Sequence, residues 1–386
     1  MFDPYRFDPV LMPEGAESLR EEVRDFLNDW RPRWSPRDLG LSWMRFDKEF
    51  SRAVAARGWI GMTWPRDYGG GGRSMLERYV VIEEMLAAGA PLGAHWIGDR
   101  QSGPLILRLG TEAQKRKYLP AMICGEACFC IGLSEPDAGS DLASVRTKAE
   151  RCDGGWRING RKIWTTNAHH SDYMIALVRT QGTVEDRHRG LSQLLIDLAT
   201  PGIDIRQISD LTGEAHFNEV TFDDVIVPED ALVGTEGNGW EQATAELAFE
   251  RSGPDRFLSS MPLIETLADE IAGAKALPDR IATRGIGQIA AELAVLRRMS
   301  VSIAGMLERG EMPNQEAAVI KELGVELEQR VPELVRSLVD APVGRSVESA
   351  LSEIQAMVLQ VSPTFSLRGG TREIVRGIMA RGLGLR

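Results

Sequence analysis

Four short segments of this 386-residue chain combine residue types that bind ligands or catalyse reactions. In Gly132–Asp141, glycines and serines let a backbone approach a flat or anionic ligand and offer hydroxyl and amide donors. The same composition is also typical of an ordinary loop. In Ile163–Asn167, Trp164 is either a plug for the core or an aromatic face against a cofactor ring, with Thr166 as a polar contact.

The third segment places a carboxylate on an apolar helical face. Trp240, Ala243 and Leu247 recur at helical spacing, and Glu250 and Arg251 follow on the same face. A carboxylate that faces inward is unfavourable unless it is paired or protonated. Glu250 is therefore either half of a structural ion pair or a general base, because burial strengthens a carboxylate as a base.

The fourth segment is a glycine turn ahead of the last predicted helix. Gly369 and Gly370 precede Thr371, which has the residue type and the position of an N-cap. A glycine turn at a helix N-terminus also offers backbone donors to a carbonyl or a pyrophosphate. Many such caps are purely structural, so this segment alone does not choose between the two roles.

Composition and charge exclude several classes of function. With 45 basic and 56 acidic residues the net charge is −11, which disfavours binding to nucleic acid or to anionic membranes. The five histidines form no ligand-spaced pair and the cysteines match no zinc motif, so no metal site is expected. Without a signal peptide pattern or a charge-free run of ~18 residues, a soluble, cytoplasmic protein is expected.

The apolar pattern changes its period twice along the chain. It is helical from Glu14 to about Met122, alternates from Phe129 to about Val233, and is helical again after Gly234. No GxGxxG follows a strand, and the GxSxG and Walker motifs are missing, which disfavours a Rossmann site and the common hydrolase and phosphotransferase sites. The predicted domains are a helical domain over 1–125, a β domain over 126–235 and a helical domain over 236–386.

Within the β domain, short runs of alternating residues predict the strands. Asn159-Gly160, between Trp156–Ile158 and Lys162–Thr165, predicts a hairpin turn. The other predicted strands are Tyr173–Arg179, Gln193–Asp197, Ile203–Ile208 and Glu219–Val227.

Taken in order, these segments resemble the acyl-CoA dehydrogenase family over nearly the whole chain. The most specific matches are Ser-Glu-Pro-Asp-Ala-Gly-Ser-Asp at Ser134–Asp141 and Trp-Thr-Thr-Asn at Trp164–Asn167. Trp64–Gly70, Gly110–Lys115 and Tyr118–Pro120 also match. The resemblance implies an α+β fold: an N-terminal helical domain, a central β-barrel and a C-terminal four-helix bundle. The helical, alternating and helical periods follow the same order.

The resemblance implies FAD as the cofactor and α,β-dehydrogenation of an acyl-CoA thioester as the reaction. A base removes an α-proton while the β-hydrogen leaves as hydride to flavin N5. It also implies that Ser140, Arg251 and the Gly369 amide contact the substrate. The residues that match cofactor contacts of the family are Leu133, Ser134, Gly139, Ser140, Trp164 and Thr166 at the flavin, and Thr371 and Glu373 at the dinucleotide.

The position of the catalytic base differs between branches of the family. Most members carry it immediately before the Gly-Thr of the C-terminal segment, where this chain has Gly369. Members that resemble isovaleryl-specific and long-chain-specific enzymes carry it on the first helix of the C-terminal domain, before an Arg. Glu250, followed by Arg251, has that position. The inward carboxylate is therefore also the base that the resemblance implies.

Two segments depart from the family pattern. Leu277–Gly287 lacks Arg-x-x-Phe-Gly, and Leu338–Arg345 replaces a glycine-rich stretch. In the family, such residues complete the FAD site of a neighbouring subunit. The expected assembly is a homodimer or homotetramer with altered contacts, or one subunit of a heteromeric acyl-CoA dehydrogenase. An electron-transfer flavoprotein is the expected electron acceptor, and the alternatives within the fold are an acyl-CoA oxidase and a flavin monooxygenase.

Overall fold

The computed structural model describes residues 5–250, 253–273, 280–339 and 349–385 of the chain. These residues belong to two compact units. The helical unit comprises Met1–Arg45, Ser74–Ala90 and Ala248–Arg386, and the sheet unit comprises Phe46–Arg73 and Pro91–Leu247.

Side-chain caps begin several of the helices. Ser35, Ser74 and Thr111 each accept a hydrogen bond from the third helical amide, and the third side chain bonds back to the cap. The helical periods predicted before Met122 and after Gly234 are confirmed. In the described part of the chain, no helix has the length and apolar content that crossing a membrane requires. The helices are α1 Ala16–Trp30, α2 Pro36–Leu41, α3 Lys48–Ala56, α4 Met75–Ala87, α5 Gly103–Leu109, α6 Glu112–Ile123, α7 Gly239–Glu250, α8 Met261–Gly273, α9 Arg280–Glu308, α10 Asn314–Val339, α11 Ala350–Phe365 and α12 Arg372–Gly382.

In the helical unit, helix α4 carries two buried carboxylates that join it to helices α1 and α9. Glu83 accepts hydrogen bonds from Arg20 at 3.0 Å and from Arg297 at 2.6 Å. Glu84 is paired with Arg20, and with Arg24 at 2.7 Å. Because a buried carboxylate is unfavourable without a partner, this network restricts how the three helices pack together.

Helix α10 packs against α9, α11 and α12, and helix α11 packs against α2 and α8. Gly40 lies at the contact of α2 with α11, where an added Cβ would be 2.5 Å from the Cβ of Met357. Leu41, Met357, Val361 and Phe365 form the apolar cluster at this contact. The predicted α+β fold is confirmed: helical regions precede and follow the strands in the sequence.

The sheet unit contains one eight-stranded sheet in the order β6-β7-β3-β2-β4-β5-β8, and β1 pairs with β4 in parallel. Its strands are β1 Phe129–Gly132, β2 Lys148–Cys152, β3 Gly155–Lys162, β4 Tyr173–Arg179, β5 Leu191–Asp197, β6 Ile203–Ile208, β7 Phe217–Val227 and β8 Leu232–Val233. Alternate side chains of β3 and β7 are buried in one core, among them Trp156, Ile158, Val220 and Phe222.

The strand predictions are confirmed in most of the sheet. The bounds of β4 and β6 agree with Tyr173–Arg179 and Ile203–Ile208, and β5 and β7 each begin two residues before the predicted start. Apolar patterns over 5–9 residues therefore identified these strands, because one face of each is more buried than the other or both faces are apolar.

The predicted hairpin at Asn159-Gly160 is wrong. Both residues lie inside β3, and the turn between β2 and β3 is at Asp153-Gly154. The register of β3 against β7 shifts at this point: two residues of β7 lie opposite Asn159 alone, so the extra residue of this β-bulge is in β7. Asn159 exchanges two hydrogen bonds of 2.9 Å with Asp224 of β7, and Gly160 has a φ of 148°. A dipeptide that suits a turn can also lie within a strand opposite a bulge, and pairing with β7 selects that arrangement.

We expect Gly160→Ala to lower the free energy of unfolding by more than ~1 kcal/mol, because the backbone conformation of Gly160 favours glycine and leaves no room for a Cβ. An added Cβ would lie 2.6 Å from the Cα of Thr147. The control is Gly287→Ala in α9, where no atom lies within 4 Å of an added Cβ. This change should stabilise the helix by about 0.5–1 kcal/mol. Urea denaturation followed by circular dichroism measures both, and an unchanged midpoint for Gly160→Ala would contradict the close approach of Gly160 to Thr147.

Candidate functional site

The segment that follows β1 makes a tight turn joined to the end of β3. Glu135 and Ala138 exchange two backbone hydrogen bonds of 3.0 Å, which close the turn. The Ser134 carbonyl accepts a hydrogen bond of 2.9 Å from the amide of Ile163. Leu133 and Ser134 are half-buried. The two predicted ligand-binding segments of the sheet unit are therefore joined by a backbone bond.

A buried ion pair anchors this turn. Lys162, whose side chain is wholly buried, donates to the Glu135 carboxylate at 2.7 Å and to the Leu133 carbonyl at 3.1 Å. Glu135 also accepts from the amides of Arg146 at 2.6 Å and Thr147 at 2.9 Å. Burial alone would raise the pKa of Glu135, but the Lys162 charge and these hydrogen bonds hold it below its ordinary value. Burial lowers the pKa of Lys162 against the opposing effect of Glu135.

Arginine side chains anchor the other end of the segment. Asp141 is paired with Arg187 and accepts a hydrogen bond of 2.5 Å from Ser144. The hydrogen bonds from Arg187 and Ser144 lower the pKa of Asp141 to about 2. Arg179, which is buried, ties this region to the loop that carries Arg187. Its guanidinium donates, at 2.9–3.3 Å, to the carbonyls of Ala143, Val145, Arg187 and Arg189.

Gly139 and Ser140 form the exposed middle of this anchored segment. No atom lies within 4 Å of a Cβ added at Gly139, so the backbone is open to a ligand there. The Ser140 hydroxyl offers a donor and an acceptor at the same place.

Trp164 directs its indole ring outward after β3. The residue is 57% exposed, and its ring meets Phe217 edge-on with 6.0 Å between centroids. Its φ of 58° is left-handed, a conformation that costs about 1–3 kcal/mol in a non-glycine residue. Such strain is typical of ligand-binding sites. Thr166, two residues on, is half-buried.

In the helical unit, side chains of α10 hold the glycine turn on both sides. Arg368 donates at 2.8 Å to the wholly buried carboxylate of Glu328, which also accepts from the Ser259 amide at 2.8 Å. Burial raises the pKa of Glu328, and the charge of Arg368 opposes that shift. Arg372, after the turn, is paired with Glu322.

The turn itself is left-handed at both glycines. Gly369 has a φ of 69° and Gly370 a φ of 94°, and Lys321 of α10 donates to the Gly370 carbonyl. The hydroxyl of Thr371 accepts from the amide three residues on, so the predicted N-cap of α12 is confirmed. Glu373 is exposed in the first turn, and hydrogen bonds from its own amide and from Thr371 lower its pKa.

The predicted base lies at the end of helix α7, Gly239–Glu250. On the predicted inward face of this helix, Ala243 is buried and Trp240 is half-buried. The side chain of Glu250 and the whole of Arg251 lie outside the described residues, as do 277–279 and 340–345 of the two departing segments. Among the residues that the structure describes, no cluster of His, Cys, Asp or Glu is arranged to hold a metal ion.

Comparison with known proteins identifies the family. The model of the acyl-CoA dehydrogenase N-terminal domain matches residues 13–126, and that of the acyl-CoA dehydrogenase middle domain matches residues 130–225. Acyl-CoA dehydrogenase IpdE1 of Mycobacterium tuberculosis is 34% identical over 351 residues, which are 88% of each chain. The chain belongs to the acyl-CoA dehydrogenase family.

Solved structures of the family resemble this acyl-CoA dehydrogenase along almost its whole length. The Tcur3481–Tcur3483 steroid ACAD has a TM-score of 0.86 and 28% identity, covering 97% of this chain and 99% of that one. The ChsE4–ChsE5 complex from Mycobacterium tuberculosis has a TM-score of 0.84 and 27% identity, covering 98% and 100%. As a member of the family, the chain is an FAD-dependent oxidoreductase that acts on acyl-CoA thioesters.

Each unit of this acyl-CoA dehydrogenase, taken by itself, has residues whose chemistry suits a part of FAD. In the sheet unit, Trp164 offers a broad exposed ring, as a planar ring system requires. In the helical unit, the left-handed glycines lead into the N-terminus of α12 at Thr371, where backbone amides favour an anionic group.

Sequence analysis missed the groups that hold these site residues in place. Lys162 and Glu135 are 27 positions apart, and neither belongs to a recognised catalytic pattern. One signal was available: Lys162 has the same parity as the buried Trp156 and Ile158 of β3. A lysine on an inward strand face requires a carboxylate partner, so the pattern predicts that a partner exists without identifying Glu135.

We expect Lys162→Met to lower the free energy of unfolding by about 3–5 kcal/mol near neutral pH, since Glu135 then stays buried without its counter-charge. In the wild type, the lowered pKa of Glu135 gives stability that is present above its ordinary value of 4.5 and is lost as pH falls through the folded pKa. In the variant only the two amide hydrogen bonds still oppose the effect of burial, so we expect the pKa of Glu135 to rise and acid to favour the folded state instead. The stability difference between the two proteins should therefore narrow from about pH 8 to about pH 5.

Lys148→Met is the matched control, because Lys148 is exposed on the neighbouring strand β2. It should change stability little at either pH. Thermal melts of the three proteins at both pH values make the comparison. A Lys162→Met difference that stays constant with pH would show that Glu135 does not depend on Lys162 for its charge.

Proposed function

We propose that the chain catalyses α,β-dehydrogenation of an acyl-CoA thioester with Glu250 as the base. The observation that carries the proposal is that the glycine turn has a glycine where most of the family has a glutamate. Gly369 occupies the position at which most members of the family have their catalytic glutamate, and it offers no carboxylate. Glu250, at the end of α7, has the position used by the remaining members.

The reaction needs a base and a donor for the developing enolate oxygen, because an α-proton beside a thioester is only weakly acidic. In the proposal Glu250 removes this proton, and the Gly369 amide donates to the thioester oxygen. Arg368 and Lys321, through their bonds to α10 and to the Gly370 carbonyl, keep the turn in place. FAD, when bound, supplies the acceptor that takes the β-hydrogen as hydride. Ser140 and Arg251 support the CoA part of the substrate.

The same proposal assigns the cofactor contacts and the domain bounds. The exposed ring of Trp164, the open backbone at Gly139 and the capped start of α12 support these contacts. The proposed domains are 1–125, 126–235 and 236–386. The proposed contacts of FAD are Leu133, Ser134, Gly139, Ser140, Trp164, Thr166, Thr371 and Glu373.

We expect Glu250→Gln to retain FAD and to bind acyl-CoA but to lose turnover by at least ~100-fold, because the base is removed and the side-chain shape is kept. Glu241→Gln is the matched control, since Glu241 lies exposed in the first turn of the same helix. Anaerobic stopped-flow measurement of flavin bleaching by acyl-CoA compares the two variants with the wild type.

Gly369→Glu in the Glu250→Gln background completes this test. It should restore part of the turnover with straight acyl chains, since it returns a carboxylate to the position used by most of the family. Near-normal bleaching by Glu250→Gln alone would contradict the assignment and transfer the role of base to another residue.

We further propose that the acyl group is bulky, either branched or polycyclic. The location of the base on the first C-terminal helix supports this, and a similar solved structure is that of a steroid ACAD. In an anaerobic panel at equal concentrations, a steroid-derived acyl-CoA or isovaleryl-CoA should therefore bleach the flavin faster than octanoyl-CoA. Fastest bleaching by octanoyl-CoA would contradict a bulky substrate.

We propose that the electrons pass to an electron-transfer flavoprotein and that the chain works in an oligomer. Slow reoxidation in air of the substrate-reduced protein would support a dehydrogenase, whereas fast reoxidation would support an oxidase.

The proposed oligomer is either a homo-oligomer or a heteromer. Two similar structures are named for a pair of proteins, Tcur3481–Tcur3483 and ChsE4–ChsE5, which supports the heteromer. Light scattering on the chain purified alone measures its molar mass and so distinguishes a homo-oligomer from a chain that needs a different partner.

A cytoplasmic location is also part of the proposal. Cys128 and Cys130 are buried thiols, and burial raises their pKa values to about 11 and about 12. Unreactive reduced thiols are typical of proteins in a reducing compartment.

A further inference from the structure

Two non-glycine residues adopt the left-handed conformation close together after β3. Trp164 has a φ of 58° and Asn167 a φ of 55°. Bulky residues keep such a conformation only where neighbouring groups hold it. The contacts of Thr165, the residue directly after Trp164, therefore decide whether the indole ring keeps its direction.

Asn218 of β7 holds the Thr165 backbone on both sides. The Asn218 carbonyl accepts from the Thr165 amide at 3.0 Å, and the Asn218 side-chain Nδ2 donates to the Thr165 carbonyl at 2.9 Å. The carbonyl of His216, just before β7, accepts from the Asn167 amide at 2.6 Å. The segment that contains both left-handed residues is thus bonded to one short stretch of chain.

The side-chain amide of Asn218 has one favourable orientation. Its Oδ1 is 2.9 Å from Nδ1 of His169, and Nδ2 also lies 3.5 Å from the His216 carbonyl. The residue is wholly buried. A reversed amide would place Oδ1 against the Thr165 carbonyl, so the buried acceptor would lose its donor.

We propose that Asn218 is a positioning residue for the cofactor. Through Thr165 it keeps Trp164 left-handed, so that the exposed indole ring is held ready for FAD. The inference rests on the proposed function, which makes Trp164 a flavin contact. Asn218 acts through this residue: it is wholly buried, whereas Trp164 is 57% exposed. Phe217, its neighbour in β7, supports the same ring edge-on.

Two variants of Asn218 remove its side-chain hydrogen bond to the Thr165 carbonyl in different ways. Asn218→Asp keeps the shape of the side chain but places an acceptor against the Thr165 carbonyl. Asn218→Leu keeps a similar volume and removes all three side-chain bonds. Each should weaken FAD binding to the apoprotein by about tenfold or more, as expected for the loss of a buried hydrogen bond. Each should also change the visible circular dichroism of the bound flavin and speed hydrogen exchange of the Thr165 amide in the apoprotein.

A double-mutant cycle separates an effect through Trp164 from an effect on the whole sheet. Trp164→Ala should itself weaken FAD binding, and adding Asn218→Leu should weaken it little further, because Asn218 acts through the ring that is already absent. If the losses of FAD affinity were additive in the double variant, Asn218 would not act through Trp164 and the inference would be wrong.

Two controls show what a purely structural effect looks like. Val225→Ala removes two buried methyl groups from the same strand, and Asn159→Ala removes an exposed asparagine that is bonded to Asp224. Val225→Ala should lower the melting temperature, and both controls should leave FAD affinity and the flavin spectrum unchanged. If the Asn218 variants behave like Val225→Ala, the inference is wrong.

The inference and the proposed function fail in different ways. A wild-type chain that binds no FAD contradicts the proposed function, and Thr165 exchange in the apoprotein still tests whether Asn218 holds the segment. Unchanged exchange in the variants would overturn the inference in that case. Should Asn218→Leu fail to fold, Asn218→Asp, which preserves the shape, carries the test.

Discussion

Lys162 and Glu135 form an ion pair almost wholly removed from solvent, and both proposed flavin-binding segments of the sheet unit depend on it. Glu135 lies in the turn after β1, and Lys162 ends β3 two residues before Trp164. Because neither charge is tolerated alone in the interior, the two segments cannot separate without a large loss of stability. The bond from the Ile163 amide to the Ser134 carbonyl then sets their register.

The helical unit uses the same physical device at the glycine turn. Arg368 is bonded to the buried Glu328, and Lys321 is bonded to the Gly370 carbonyl. Both glycines can adopt the left-handed conformation that the turn requires. The bonds of the turn to Glu328 and Lys321 of α10 hold it in this conformation. At its two glycines, a turn held in this way presents backbone amides but no side-chain carboxylate. The proposed chemistry therefore has to obtain its carboxylate elsewhere, and Glu250 is where the family resemblance locates it.

Much of the fold was predictable from the sequence, because periodicity reports which face of a local element is buried. The helical and alternating regions, the strands at Tyr173–Arg179 and Ile203–Ile208, and the Thr371 cap follow from neighbouring residues alone. The family motifs at Ser134–Asp141 and Trp164–Asn167 likewise lie in contiguous sequence. The order of the segments was therefore sufficient to identify the family and its cofactor.

Only the tertiary structure decided how those segments are held. Asn159-Gly160 suits a hairpin turn by its residue types, yet pairing of β3 with β7 keeps it inside a strand, opposite a bulge in β7. Lys162, Arg179 and Asn218 each bond to partners 8–53 positions away along the chain, and no local pattern specifies which distant polar group each will meet. The sequence by itself determined the elements and the family because these depend on local burial and contiguous motifs. The tertiary structure decided the support of Trp164 and Gly369, because buried polar groups are satisfied by whichever partner the completed fold brings within hydrogen-bond distance.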